Sequence, residues 1–99
     1  MSRVPDAIRA AVVAREDGLC AICGQVGTDV HHRQRRAVGG HELWNCVLVC
    51  RRCHNYAHGN PVEARSKGWI ISVHDKQPWD ALIYGWQGAK LLAEDKGTP

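Results

Sequence analysis

Two C-x-x-C pairs, Cys20/Cys23 and Cys50/Cys53, constrain this 99-residue chain more than any other feature. Each pair lets two thiolates reach one ion at about 2.3 Å while the chain reverses, so together they complete a tetrahedral four-sulfur zinc site. The 26 residues between Cys23 and Cys50 exceed the roughly 15–20 of a plain zinc ribbon. An insertion is therefore expected between the two halves of the site. The competing readings are disulfides and redox chemistry. The opening Met-Ser-Arg-Val-Pro-Asp has no apolar secretory region, and no apolar run approaches the ~18 residues of a membrane span. The compartment is read as cytoplasmic, where thiols stay reduced, and a thioredoxin-like pair would need a βαβ context that the pattern lacks. Cys46, the fifth cysteine, is read as a small buried hydrophobe.

Ninety-nine residues make one domain, spanning residues 1–99, near the size at which a core alone is marginal. With no Phe and one Met, the chain is expected to depend on zinc for folding free energy.

Caps and breakers give an α+β organisation. Pro5, the apolar spacing of Ala7, Ile8, Ala11 and Val12, and Gly18 as a stop predict a helix over residues 5–16. Val30-His31-His32 reads as a short strand, Gly39-Gly40 as a turn, and Cys46-Val47-Leu48-Val49 as the returning strand of a hairpin. A helix is expected from Cys50 or Arg51 to His58, ended by Gly59, and a shorter one between Asn60-Pro61 and Gly68. Residues 69–73 are β-rich enough for a further strand. Residues 79–95, with Trp79, Leu82, Ile83, Trp86, Leu91 and Leu92, read as a helical tail interrupted by Gly85 and Gly88. The four tryptophans are expected in the core.

The inserted segment carries the remaining chemistry. His54 and His58, four apart on one helix, share a face and can grip one ion. His31 and His32 are consecutive on a strand and so point to opposite faces. Residues 31–58 hold Arg33, Arg35, Arg36, Arg51 and Arg52 against Glu42 alone, although the whole chain carries only +3. Arginine offers phosphate oxygens a planar, permanently charged fork, so this basicity around the histidines suggests a polyanionic partner. His41 and His74 are read as ordinary surface or satisfied core histidines, and a Cys3His zinc site using His54 or His58 stands as a minor alternative.

The order Cys-x-x-Cys, His-His, Asn, Cys-x-x-Cys-His-x-x-x-His resembles the HNH endonucleases over residues 15–60. The line Leu48-Val49-Cys50-Arg51-Arg52-Cys53-His54 is similar to that family's second knuckle, and Gly39-Gly40 to its hairpin-loop glycines. The resemblance implies a zinc-stapled ββα-metal fold of treble-clef type, with an N-terminal helix and a strand/helix extension over residues 61–99. It makes His31, His54 and His58 the ligands of one catalytic divalent ion, His32 the general base, and Asn45 the residue that holds the hairpin loop and orients His32. Residues 64–73 look like the tail of small phage HNH proteins encoded near DNA-packaging genes, which implies terminase or other packaging proteins as partners and the host cytoplasm as the location.

The expected activity is hydrolysis of double-stranded DNA, with the five arginines as phosphate clamps. Phosphodiester hydrolysis needs a cation on the scissile phosphate and a neutral imidazole, with pKa near about 6.5, to take a proton from water. Three imidazoles favour Zn2+, Ni2+, Co2+ or Mn2+ over Mg2+, which prefers oxygen ligands. One active site per chain cuts one strand per event, so the expected enzyme is a monomeric nickase of low sequence specificity. Two other readings stand beside it: a non-catalytic zinc-stapled DNA-binding module, and a subunit that acts by docking on a packaging complex.

Overall fold

The structure, a computed structural model, describes residues 4–92. Helix α1 (Asp6–Arg15) starts after Pro5, has Asp6 in its first turn and Arg15 in its last, and so complements the helix dipole at both ends. Asp17 and Gly18 then adopt left-handed backbone angles, φ 56° and 74°, which end the helix and turn the chain into the first C-x-x-C knuckle.

Strands β1 (Asp29–His32) and β2 (Cys46–Val49) pair antiparallel, with His31 opposite Val47 and His32 opposite Cys46. All four residues of β2 are buried, because the hairpin is covered on both faces. Cys46 and Leu48 pack against Val12 of α1. Val47 and Val49 point the other way, into a cluster with Ala57, Trp69, Ile83 and Leu92. Burial of each such valine or leucine is worth about 1.5–3 kcal/mol. Between the strands lie the single-turn helix α2 (Arg36–Gly39) and a loop; after β2 come α3 (Arg51–Gly59) and α4 (Pro61–Ser66). β1, β2, α3 and α4 match the expected elements, α2 stands where only a turn was expected, and α3 packs on β1 and α4. The chain is thus a small α+β protein built on two two-stranded sheets.

Beyond α4 the structure departs from the sequence reading twice. Residues 69–73 form no strand. Trp69 and Ile71 face inward as a strand would place them, but the segment makes no ladder: His31 bonds the Trp69 carbonyl and Gln34 the Ser72 carbonyl, while the Trp69 and Ile70 N–H groups turn back to the Ala64 carbonyl and that of Ile71 reaches the Arg33 carbonyl.

The expected helical tail is instead a 3-10 turn (Pro78–Asp80) followed by a hairpin of β3 (Leu82–Gly85) and β4 (Gly88–Leu91). Gly85 and Gly88 flank its two-residue turn. A Cβ on Gly85 would run into the Ala21 carbonyl, so this glycine permits the hairpin to close on the first knuckle. Residues 93–95 of the expected tail lie outside the described residues. Trp44 and Trp69 are buried as expected, whereas Trp79 and Trp86 are about half exposed. Among the described residues no helix is long and apolar enough to cross a membrane.

Candidate metal centres and active-site cavity

The four knuckle cysteines converge. Cys50 caps α3, its sulfur accepting from the Cys53 N–H at 3.4 Å, and the Cys20 sulfur accepts from the N–H groups of Ile22 and Cys23 at 3.4 and 3.5 Å. The sulfurs of Cys23 and Cys50 stand 3.8 Å apart, the separation of about 3.8 Å that two thiolates have on one tetrahedral zinc. Burial opposes charge on Cys50, but hydrogen bonds from the Cys53 backbone and the neighbouring cysteines prevail and hold its thiol at about 7. The donor set fits a structural zinc.

A second group is formed by His31, His54 and His58, whose ligand nitrogens all lie within 4.8 Å of one another. The histidines group among themselves and not with the sulfurs, so a Cys3His arrangement is not what the fold forms. The ring of His31 meets those of His54 and His58 edge-on, at centroid distances of 5.0 and 5.4 Å. His31 Nε2 donates to the Trp69 carbonyl at 2.7 Å, and His54 Nδ1 donates to Asp29 Oδ2 at 2.8 Å. Each ring therefore carries its proton on the nitrogen turned outward and leaves the other nitrogen bare, as metal-binding histidines do. Burial, and after it the charges of the neighbouring histidines, push His31 down to about 4 despite its carbonyl partner. A neutral imidazole is the ligand form.

Asp29 was not singled out by the sequence reading. It accepts from Arg51 Nε at 2.7 Å as well as from His54, and the Arg51 guanidinium holds its carboxyl well below the usual range even though partial burial opposes this.

His32 sits on the other face of β1, as strand alternation requires. Its Nε2 is 3.1 Å from His41 Nδ1, so His41 is a partner of His32. Burial, then the charges of His41 and Arg36, lower the His32 pKa. Asn45 does not line the cavity. It is fully buried, accepts from the Gln34 N–H at 2.6 Å and donates to the Gln34 and Gly40 carbonyls at 2.8 and 2.9 Å. It thereby fixes the loop that delivers His41. Gly39 is required beside it, since a Cβ there would press on the Asn45 amide at 2.7 Å.

His31, His32, His54 and His58 line one cavity of about 640 Å3, together with Arg35, Arg36, Arg65, Ile70, Ile71 and His74. Arg65 was not predicted as a site residue; on α4 it has no histidine near it in sequence, and only the fold brings it to this rim.

The arginine expectation needs one correction. Arg33 is 1% exposed, and its guanidinium donates to the carbonyls of Gly68, Trp44, Ala81 and Leu82. It is an internal strut and cannot clamp a phosphate. Arg51 and Arg52 are exposed on α3 but outside the cavity lining, and Arg51 is engaged with Asp29.

No protein-family model, curated protein or solved structure matches this chain. The site's chemistry therefore rests on its own geometry.

Proposed function

We propose that this chain is an HNH-type endonuclease, with a ββα-metal unit of treble-clef character formed by β1, β2 and α3, and that it hydrolyses the backbone of double-stranded DNA. The observation that carries the reading is the convergence of His31, His54 and His58 on one point, with His32 lining the same cavity from the adjacent strand position. The three imidazoles would hold a divalent ion, with Zn2+, Ni2+, Co2+ and Mn2+ better matched than Mg2+. Such an ion supplies charge stabilisation at a phosphoryl oxygen and at the departing oxygen.

The chain's own residues do the rest. In the tautomer in which His32 Nε2 donates to His41 Nδ1, the free Nδ1 of His32 is the nitrogen to accept a proton from the attacking water. Its lowered pKa keeps it neutral at neutral pH and so able to act as a base. Asn45 acts through the loop and is a positioning residue. Arg35, Arg36 and Arg65 at the cavity rim are the candidate phosphate contacts. One such centre cuts one strand, so the product from supercoiled plasmid is a nicked circle. Small phage HNH proteins provide the model for its setting, with DNA-packaging proteins as partners in the host cytoplasm.

The test is cleavage of supercoiled plasmid by zinc-loaded protein with added Mn2+, Ni2+, Co2+, Zn2+ or Mg2+, run beside His32→Ala. Metal-dependent nicking that His32→Ala abolishes is the expected result. Retention of DNA in a gel shift without cleavage under any metal would replace the nuclease reading with that of a zinc-stapled DNA-binding module.

A further inference from the structure

The other face of the β1–β2 hairpin carries a third convergence of metal-ligating atoms. His32 and Cys46 are directly opposed in the strand register and point to the same face, and the loop held by Asn45 brings His41 over them. The ligand atoms of His32, His41 and Cys46 all lie within 4.8 Å of one another. The 3.1 Å between His32 Nε2 and His41 Nδ1 is close to the roughly 3.3 Å that separates two imidazole nitrogens on one tetrahedral zinc. Two nitrogens and one sulfur are a donor set for zinc or cobalt, not for magnesium or calcium.

We infer that His32, His41 and Cys46 form a third metal site, which takes a zinc-type divalent ion and removes His32 from service as a base. The consequence for catalysis rests on the function proposed above; the site itself does not. A metal on Nε2 of His32 leaves the ring's one proton on Nδ1, the nitrogen needed to accept the proton of water. Binding also displaces the thiol proton of Cys46 to solvent. Cys46 is fully buried, and the site offers three protein donors where the cysteine cluster offers four, so it is the weaker of the two and fills only as free zinc rises.

The chain's cysteine count makes the test clean. With zinc in the site of Cys20, Cys23, Cys50 and Cys53, the remaining cysteine is Cys46. Co2+ added to such protein, after weakly held metal has been dialysed away, should produce a thiolate-to-cobalt charge-transfer band in the near ultraviolet. The band should be lost in Cys46→Ala and in His41→Ala and kept in the double variant His54→Ala/His58→Ala. His41→Ala keeps the test open should Cys46→Ala fail to fold. Absence of the band in the wild-type protein, or its persistence in both Cys46→Ala and His41→Ala through exchange into the four-cysteine site, overturns the inference. Inhibition of Mn2+-supported plasmid nicking by zinc added in excess, measured against each variant's own rate, should disappear with the band. A chain that shows the band and cuts no DNA would keep the third site and sink the nuclease reading alone.

Discussion

Asp29 Oδ2 accepts the Nδ1 proton of His54 at 2.8 Å, and the same carboxylate is held from its other side by Arg51. A carboxylate behind a histidine fixes the ring's orientation and tautomer and raises the basicity of the far nitrogen. One strand residue and one residue of the following helix thus decide how well His54 presents itself.

Replacement of Asp29 by Asn should therefore weaken divalent-metal binding at the three-histidine site by about 10–100-fold while leaving the four-cysteine zinc in place. Calorimetric titration of zinc-loaded protein with Mn2+ or Ni2+ measures this. Unchanged affinity would mean that Asp29 serves only the hairpin end.

Removal of the structural zinc should unfold the chain. The sulfurs join the first knuckle to the start of α3, and without an ion no bond links these two parts of the chain at the cluster. A strong chelator should abolish the far-ultraviolet circular dichroism of the helices, and added Zn2+ should restore it; a native spectrum in the metal-free protein would contradict this.

Arg33→Ala should cost roughly 3–5 kcal/mol of unfolding free energy, because it strands buried carbonyls that now share one guanidinium. Burial, and then the charge of Arg15, bring its pKa down to about 10, so it remains charged at neutral pH and needs those acceptors. Arg35→Ala and Arg52→Ala, at exposed positions, should stay within about 0.5 kcal/mol of wild type. Urea denaturation of the three variants separates the strut from the surface arginines.

Gly68→Ala should be worse tolerated than any exposed substitution. Gly68 has φ 73°, and a Cβ would run into the Leu82 carbonyl, which is backbone and cannot swing aside. A loss of at least roughly 3 kcal/mol is expected from strain and overpacking together, read from the thermal midpoint.

Cys46 should make stability fall with alkali. Burial raises its folded-state pKa from 9.0 to about 11, so the folded chain holds the proton more tightly than the unfolded one. That contribution is complete below about pH 9, declines as the unfolded thiol ionises, and is gone by about pH 11, a change on the order of 3 kcal/mol. The slope of unfolding free energy over this window should be shallower in Cys46→Ala. For the same reason iodoacetamide should spare Cys46 in the native protein near pH 8.

Features set by short sequence spacings were legible: the knuckles, the i,i+4 histidines of α3, the alternation of His31 and His32, and the β1–β2 hairpin. Arg33 was misread because a run of arginines looks uniform until the fold buries one of them. Leu82-Ile83-Tyr84 has the two-residue alternation of a strand, but the neighbouring apolar residues also fit a helical spacing, and only the close approach of Gly85 to Ala21 discriminates. Asp29, His41 and Arg65 carried no local signal, since each reaches its partner from a distant element or through a loop.

Cys50 and Cys53 stand at the start of the helix that also carries His54 and His58. If zinc shapes α3 as predicted above, the histidine site forms only after that ion has arrived, an ordered lock. On the proposed function, a newly made chain short of zinc would then be inert rather than half-active, armed to cut DNA only once its fold is complete.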